Sequence, residues 1–358
     1  MKISERDLFY ATVNHEKVDG QLFYADFIAE AEERVREHFG LGPNDHIREE
    51  LGMFAPVDVR PKQYRETKHD FSRYYTDIDI PDNAWIDGSG ILTIPGSSFH
   101  FTRWISPLRN AETLEEIMDF PAWPNLSNID VSHYKHETED AKVKGKVVTS
   151  WCGRLYESSW PIRGYEEMLM DMAVEEDITN FILNKSFDFN MKLTIAAAEA
   201  GVDMVMYGDD VGNQNTLMFS GELWRKYLKP RWKELWGTLK DINPDITIWY
   251  HSDGNVSEII PDLVDIGLDV LNPVQPECLD PYKVKAEFGD KLVIDSGIGT
   301  QTVMPFGTPD EVRETCRRAI KILGVDQGYI LSPSHLVEPE VPMENILAFL
   351  EVAKEFNS

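Results

Sequence analysis

The sequence predicts an α/β fold, a (β/α)8 barrel with an inserted β-hairpin, in a single domain over residues 1–358. The main observation is a pattern that repeats through the second half: a short apolar run, a polar turn and an amphipathic helical segment. Strands that alternate with helices are joined by crossovers and therefore lie parallel. The runs are apolar throughout, which is typical of strands covered on both faces. No GxGxxG follows a strand, which disfavours a dinucleotide-binding sheet.

Seven of the eight strands can be assigned in order. They are residues 21–26 (QLFYAD), 145–151 (GKVVTSW), 203–208 (DMVMYG), 246–251 (ITIWYH), 268–272 (LDVLN), 291–295 (KLVID) and 328–331 (GYIL). Helices are expected at 28–39, 166–200, 256–266, 281–288, 309–323 and 342–356. The eighth strand is expected somewhere between residues 41 and 140. Residues 70–108 alternate in hydrophobicity around a DGSG turn, which predicts an inserted antiparallel hairpin over the barrel mouth.

Composition and charge exclude several classes of protein. With 42% hydrophobic residues the chain can build a large core, so it is not intrinsically disordered. Its 35 Lys and Arg against 62 Asp and Glu give a net charge of −27, which repels nucleic acid and anionic membrane surfaces. There is no apolar run of about 18 residues and no signal peptide. With only three cysteines and no CxxC pair, we expect a cytoplasmic protein without disulfides.

A candidate metal site lies at the predicted strand ends, where barrel enzymes carry their reactive residues. His251 and Asp253 follow one strand, and Gly254 allows a tight turn into the next helix. His335 follows the last strand, and Cys278 lies between them in sequence. These nitrogen, oxygen and sulfur donors are those that zinc takes. The alternative is that the histidines are hydrogen-bonded residues of the barrel rim.

A second group of polar residues follows the strands at 145–151 and 203–208. Asp209 and Asp210 are adjacent carboxylates beyond a buried strand, which predicts either a function or strong donors around them. The alternative is that one caps a loop while the other faces water. Glu157 and Arg163 are expected to pair across the mouth, either in the site or as a structural ion pair. Tyr156, Arg163 and Gln214 are the candidate substrate-binding residues.

Several segments resemble a known family. They are ERDLFYATVNHEKVDG, LYESSWPIRGYEEMLMDM, YGDDVGNQ, SGELWRKYLKPRWKEL, YHSDGNVSEIIPDLVDIGLDVLNPVQPEC, PFGTPDEV, GYILSPSH and PMENILAF. The chain is similar to the uroporphyrinogen decarboxylase superfamily, and within it to the corrinoid-dependent methyltransferases of the O-demethylase type. The resemblance covers both ends and nearly all of residues 145–350, and little of residues 60–110.

The resemblance implies a zinc site with an altered ligand set. Methyltransferases of this branch hold zinc with a His-x-Cys pair and a further Cys after the last strand. The matching positions here are His251, Asp253 and His335, so oxygen and nitrogen replace two thiolates. Such a set is harder and suits oxygen-bearing substrates better than thiols. Cys278 either supplies the missing sulfur or only neighbours the site.

The same resemblance disfavours the decarboxylases themselves. Those enzymes resemble one another in an Arg-rich stretch near the N-terminus that holds a substrate with many carboxylates. The corresponding region here has only the scattered Arg34, Arg36 and Arg48. An acidic chain without that basic cluster is poorly matched to a polyanion.

The resemblance therefore implies transfer of a methyl group from a small substrate, most simply a methoxylated aromatic, to the cobalt of a separate corrinoid protein. Metal at His251, Asp253 and His335 would polarise the ether oxygen. Glu157, Tyr207, Asp209 or Asp210 would orient the ring or protonate the phenolate. The alternatives are a metal-independent decarboxylase, a non-catalytic corrinoid or tetrapyrrole binder, and transfer from methylcorrinoid to a thiol or folate. The methyl donor, the metal and the oligomeric state stay open, a homodimer included.

Overall fold

The computed structural model describes residues 3–63, 69–96 and 102–357. The strands are β1 (Val57–Asp58), β2 (Lys62–Gln63), β3 (Trp85–Ile86), β4 (Leu92–Ile94), β5 (Arg103–Ile105), β6 (Ile129–Asp130), β7 (Val148–Gly153), β8 (Met204–Gly208), β9 (Thr247–His251), β10 (Val270–Asn272), β11 (Val293–Asp295) and β12 (Tyr329–Ile330).

Fifteen helices accompany these strands in the described part of the chain. They are α1 (Glu5–Val13), α2 (Ala29–Phe39), α3 (Ile47–Glu50), α4 (Leu114–Met118), α5 (Tyr134–Val143), α6 (Trp160–Arg163), α7 (Tyr165–Val174), α8 (Glu176–Ala200), α9 (Gly221–Tyr227), α10 (Lys229–Ile242), α11 (Ile260–Asp265), α12 (Pro281–Phe288), α13 (Val303–Phe306), α14 (Pro309–Leu323) and α15 (Met343–Glu355).

The central sheet is parallel and curls back on itself. Its order is β1-β7-β8-β9-β10-β11-β12. Segment 22–24 joins the two edges: Leu331 N donates to Leu22 O (2.9 Å), Tyr24 N donates to Leu331 O (3.1 Å), and Phe54 N donates to Phe23 O (2.8 Å). The curled seven-stranded parallel sheet, with segment 22–24 between the last strand and the first, is consistent with the predicted TIM-barrel-like fold. The strand left unassigned in the sequence is β1.

Local sequence signals explain several helix boundaries. Thr308 and Glu311 form a capping box at the start of α14, with Pro309 in the first turn. Gly201 ends α8 in the left-handed conformation. The predicted helices 281–288 and 309–323 are found with those bounds. The predicted helix 166–200 is instead two helices, α7 and α8, which meet at Glu175.

Successive side chains along each strand point alternately to the barrel interior and to the surrounding helices. Inward side chains of five neighbouring strands form one cluster: Met204, Trp249, Val270, Val293 and Ile330. Helix α1 contributes Leu8 and Phe9 to the same cluster. Their neighbours on β8, Val205 and Tyr207, belong to the larger cluster between the barrel and its helices. A single-residue step along a strand thus decides whether a side chain reaches the barrel axis.

Residues 70–108 contain an antiparallel sheet. Strands β3 and β4 pair around the turn at 87–91, and β5 adds to β4 with Trp104 opposite Thr93. Residues 97–101 of this range lie outside the described residues, and the role of the range as an insertion over the barrel mouth stays a prediction. In the described ranges, no helix combines the length and the apolar character needed to cross a membrane.

Candidate functional site

Three loops at the C-terminal ends of β7, β8 and β9 are tied together by acidic side chains. The amide of Glu157 donates to Asp209 Oδ1 (2.9 Å). The amide of Asp210 donates to Glu157 Oε2 (2.8 Å), and the amide of Asp253 donates to Asp210 Oδ1 (2.8 Å). Each carboxylate thus holds the backbone of the next acidic residue. The backbones of Gly212 and Gly254 also meet, leaving no room for a Cβ atom at either position.

This arrangement brings Asp210, His251 and Asp253 together as a group that could hold a metal ion. One ligand atom from each lies within 4.8 Å of the other two. His251 Nε2 is 3.6 Å from Asp210 Oδ1 and 3.9 Å from Asp253 Oδ1. Asp253 Oδ1 is buried and accepts no hydrogen bond from any described residue. Burial raises the pKa of Asp253 above its ordinary value, while the His251 imidazole opposes that rise. Half-buried nitrogen and carboxylate acceptors that face one space fit a divalent cation.

The orientation of His251 suits metal ligation. Its Nδ1 lies 2.7 Å from Asn272 Oδ1, an oxygen that can only accept, so Nδ1 carries the proton. The unprotonated Nε2 then faces the two carboxylates. The indole of Trp249 stacks on the imidazole, with ring centroids 5.9 Å apart and planes 18° apart.

His335 and Cys278, the other two predicted ligands, lie at the edge of this group. His335 Nε2 is 3.8 Å from Asp253 Oδ2, so Asp253 faces a histidine with each of its oxygens. His335 is half exposed and is not part of the close group. Cys278 shares a cleft with Asp253 but is not in that group either. Burial, together with Glu277 and Asp253, raises the pKa of the Cys278 thiol above its ordinary value.

Two cavities meet at these residues. An inner chamber of about 240 Å³ lies inside the barrel, lined by Tyr24, Asp26, Arg48, Phe54, Pro56, Met204, Met206, Trp249, His251, Asn272, Asp295, Ile330, Pro333, Ser334, His335 and Leu336. An outer cleft of about 540 Å³ is lined by Gly212, Asn213, Gln214, Asp253, Gly254, Gln275, Cys278, Thr300, Gln301, Pro305, Phe306, His335, Leu336, Glu338 and Glu340. His251 faces the chamber, Asp253 faces the cleft, and His335 lines both.

Asp209 and Glu157, two predicted catalytic residues, hold the loops behind the triad. Asp209 is fully buried, and its carboxylate accepts the amides of Leu155 and Glu157. Burial and the neighbouring Glu157 raise the pKa of Asp209 well above its ordinary value, against those hydrogen bonds. Burial and Asp210 raise the pKa of Glu157, while Arg154 lowers it. The excess of carboxylates makes this region favourable for a cation.

Tyr207, the third predicted catalytic residue, does not face the mouth. Its hydroxyl is 2.8 Å from Thr194 Oγ1 on α8, and its ring packs against Trp232 and Trp236 on α10. Tyr207 was predicted to be catalytic because it lies near the end of a strand. Side chains alternate along β8, so Tyr207 points toward the helices, whereas its neighbours Met206 and Gly208 are on the side of the barrel interior.

Arg163, a predicted substrate-binding residue, is buried in a structural ion pair. Its Nε lies 2.6 Å from Asp171 Oδ2, and it also donates to the carbonyl of Leu108. The expected pairing of Glu157 with Arg163 is wrong, because Glu157 pairs with Arg154 at 2.9 Å. Among the described residues, Arg163 is buried and lines neither of the two cavities.

The other two predicted substrate-binding residues differ in location. Tyr156 is buried, and its ring packs on Phe219 with centroids 5.1 Å apart. Gln214 is exposed at the outer cleft and donates from Nε2 to the carbonyl of Glu277 (2.9 Å). Gln214 can therefore contact a ligand in the cleft, whereas Tyr156 lies behind the loop.

The chamber contains polar residues that sequence reasoning missed. Asp295 Oδ2 accepts from Trp249 Nε1 (2.7 Å) and from the Tyr24 hydroxyl (3.1 Å), and Oδ1 accepts from Ser332 (3.2 Å). Burial raises the pKa of Asp295 to about 6 despite these bonds. Asn272 and Asp295 are the last residues of β10 and β11, and the prediction considered only residues beyond the strands. The signal that could have found them is a polar residue at the end of an apolar run, as in LDVLN and KLVID.

Comparisons with known proteins agree with this architecture. Residues 154–356, more than half of the chain, match the family model described as uroporphyrinogen decarboxylase (URO-D). The chain belongs to the uroporphyrinogen decarboxylase family. This family member is 21% identical over 256 residues to the uroporphyrinogen decarboxylase of Nostoc punctiforme, a match that spans 70% of each chain.

A solved structure, a methyltransferase from Methanosarcina mazei, is similar over 100% of both chains with a TM-score of 0.67. At 16% identity, that likeness shows that this family member shares its fold with the archaeal protein.

Proposed function

We propose that the protein is a methyltransferase that moves a methyl group from a small methylated substrate, a methoxylated aromatic, to the cobalt of a corrinoid protein. The observation that carries the proposal is the position of the Asp210, His251 and Asp253 triad. It lies where a chamber of single-ring size meets an open cleft. A substrate ring in the chamber and a corrin at the cleft would meet at the triad. The whole-chain fold similarity to a methyltransferase agrees with this function.

The triad, joined by His335, would hold a divalent cation, with zinc the first candidate. A cation bound there would supply Lewis acidity to an ether oxygen, which an aryl ether needs because phenolate leaves poorly. The chain provides one nitrogen and two carboxylate ligands, with His335 as a fourth. Ligation by the triad alone leaves the fourth tetrahedral position for the substrate oxygen, whereas with His335 bound as well the site would have to expand to five ligands.

The reaction breaks the bond between the methyl carbon and the ether oxygen. Its electron pair stays on the oxygen as phenolate, and the cobalt(I) of the co-substrate supplies the pair for the new cobalt–carbon bond. The chamber walls, Tyr24, Phe54, Met206 and Trp249, would hold the ring by apolar contact. Glu157 has a raised pKa but lies behind the triad and lines neither cavity, so the phenolate would take its proton from water of the open cleft.

A decarboxylase of the same family is the second candidate, favoured by the family model and the Nostoc relative. The charges of the chamber argue against a polycarboxylate substrate. Arg48 lines the chamber but is paired with Asp26, and Arg36 is paired with Glu32. Arg34 donates to backbone carbonyls. The three arginines of this region are thus engaged within the chain, and Asp295 adds negative charge to the chamber wall.

The corrinoid would arrive on a partner protein at the outer cleft. That cleft carries Glu338 and Glu340 at its rim, on a chain of net charge −27. We therefore expect a partner whose docking face is less acidic than this one, since like charges across an interface slow association. Raising the salt concentration should then weaken the complex if the face is basic.

The test is methyl transfer from methoxybenzene and methoxyphenols to cob(I)alamin, followed by the loss of cob(I)alamin absorbance, with metal content measured on the same sample. His251→Ala should lose both metal and transfer. His136→Ala is the matched control, because that histidine is exposed on α5 and pairs only with Asp140 among described residues. Full transfer by metal-free His251→Ala protein would contradict the mechanism. Release of CO₂ from a carboxylated substrate, without transfer, would favour the decarboxylase.

A further inference from the structure

We infer that Asp295 is a positioning residue that acts through Tyr24 and Asn272 to fix which nitrogen of His251 faces the candidate metal site. The inference rests on the metal site of the proposed function and extends it to residues on the opposite wall of the chamber. Asp295 lies at the end of β11, and His251 at the end of β9 with β10 between them. No contact joins Asp295 to His251 directly among the described hydrogen bonds and ion pairs.

The connection is a chain of three hydrogen bonds. The Tyr24 hydroxyl lies 3.1 Å from Asp295 Oδ2. Asn272 Nδ2 lies 3.2 Å from the Tyr24 hydroxyl, and Asn272 Oδ1 lies 2.7 Å from His251 Nδ1. Every member is buried or half-buried in the chamber wall. A chain of this kind restricts each member to one orientation.

The Asp295 carboxylate determines which atom donates and which accepts in each of these three hydrogen bonds. An ionised Asp295 only accepts, so the Tyr24 hydroxyl must donate to it and its oxygen must accept from Asn272 Nδ2. The amide oxygen of Asn272 is then left to face His251, whose Nδ1 must carry the proton. The lone pair of Nε2 is thereby directed at Asp210 and Asp253. A flip of the Asn272 amide would instead direct Nδ2 at Nδ1, which would then accept, leaving the proton on Nε2 and blocking ligation there.

Two further contacts keep Asp295 in place. Trp249, which donates to Asp295 Oδ2, stacks on the His251 ring, so the acid is also linked to His251 through the indole. Ser296, the next residue, is fully buried and has a backbone φ of 105°, which residues other than glycine rarely adopt. The Ser296 hydroxyl donates to Ser334, which holds this backbone against the last strand end. The structure thus maintains a costly local geometry next to Asp295.

The first experiment measures Zn²⁺ affinity of the metal-free protein by competition with a chelator. Tyr24→Phe removes the middle hydroxyl and keeps the ring, and Asn272→Leu removes the bond to His251. Each should weaken Zn²⁺ binding about 10- to 100-fold, as loss of outer-sphere partners does elsewhere. Asn272→Asp keeps an acceptor for Nδ1 and should bind Zn²⁺ at least as tightly as the wild type. Tyr75→Phe is the matched control, because it removes the hydroxyl of another buried tyrosine, which donates to the carbonyl of Ile105 away from the chamber.

The second experiment reads the tautomer itself. Nitrogen NMR of ¹⁵N-histidine-labelled, metal-free protein should place the His251 proton on Nδ1 in the wild type and in Tyr75→Phe. Tyr24→Phe and Asn272→Leu should shift the population toward Nε2. Unchanged tautomer and Zn²⁺ affinity in folded Tyr24→Phe and Asn272→Leu proteins would overturn the inference. If the wild type binds no Zn²⁺ while the tautomer responds as expected, the inference stands and the metal proposal fails.

Discussion

The backbone amide of Asp253 donates a 2.8 Å hydrogen bond to the Oδ1 atom of Asp210. Asp210 therefore has two roles: it offers an oxygen to the candidate metal site, and it holds the loop that carries Asp253. Asparagine at 210 keeps an acceptor for the amide but removes the charge, whereas alanine removes both. We expect Asp210→Asn and Asp210→Ala each to weaken Zn²⁺ binding more than tenfold, and only Asp210→Ala to lower the melting temperature. Equal Zn²⁺ affinity in Asp210→Asn and wild type would exclude Asp210 as a ligand.

Tyr207→Phe should leave methyl transfer unchanged. The hydroxyl bonds to Thr194 in the helical layer, so its loss is expected to cost about 1 kcal/mol of unfolding free energy and nothing at the site. Steady-state transfer assays and urea unfolding check the two parts. A tenfold loss of activity in a folded variant would restore Tyr207 as a catalytic residue.

Arg163→Ala should lower the free energy of unfolding and leave substrate binding unchanged. The variant leaves Asp171 buried without its partner, because both side chains are less than 10% exposed. Breaking a buried ion pair from one side costs about 3–5 kcal/mol. Urea unfolding should report this loss, while the Michaelis constant of the folded fraction stays near that of the wild type. A large rise in that constant with unchanged stability would instead indicate substrate binding.

Cys278→Ala should retain its metal. The thiol lies in the outer cleft, outside the close group of ligand atoms from Asp210, His251 and Asp253. We expect unchanged Zn²⁺ stoichiometry and affinity within about threefold, measured by the chelator competition described above. The contrary outcome would be a thiolate charge-transfer band in the Co²⁺-substituted wild type that is absent from Co²⁺-substituted Cys278→Ala. That result would make Cys278 a metal ligand.

Asp295→Asn should change how stability depends on pH. The pKa of Asp295 is raised from 3.8 to about 6, so the folded state binds this proton more tightly than the unfolded state. Its contribution therefore favours folding at low pH and is lost as the pH rises from about 4 to about 6. Relative to wild type, Asp295→Asn should gain up to about 3 kcal/mol over that window, since one pKa unit is about 1.4 kcal/mol.

The measurement for Asp295→Asn is urea unfolding of both proteins at several pH values. Asparagine fits the same contacts, because its oxygen can accept from Trp249 and Tyr24 while its amide faces the Ser332 hydroxyl. The difference in unfolding free energy between the two proteins isolates this group from the many other carboxylates. A difference that is flat between pH 4 and pH 6 would contradict the raised pKa.

The fold was predictable because its signals are local. Apolar runs such as DMVMYG and ITIWYH stand between turns and helices, and each became a strand of the parallel sheet. Strand β1 was not assigned because it has only two residues, and its pairing with β7 is a tertiary contact that leaves little trace in sequence. The helix break at Glu175 was missed because apolar periodicity continues across it.

The site was predictable in part. His251 and Asp253 were found because polar residues after a strand point to the barrel mouth, and the structure brings them together with Asp210. Tyr207 was misplaced because position along a strand does not give its face. The partner of Arg163 is eight residues away, on the next helix, and sequence alone could not choose it over Glu157. Asp295 was missed because a single acid at the end of an apolar strand resembles a cap.

Segment 22–24 bonds to Leu331 on one side and to Phe54 on the other. During synthesis, the ribosome completes that segment some three hundred residues before its partner near the last strand exists. Until then, segment 22–24 has unpaired backbone groups on the side that will face Leu331, and these could pair with another chain. Ring closure across so long a loop is also slow, since folding rates fall as contacts become more distant in sequence. Recombinant production should therefore benefit from slow translation at low temperature or from added chaperones.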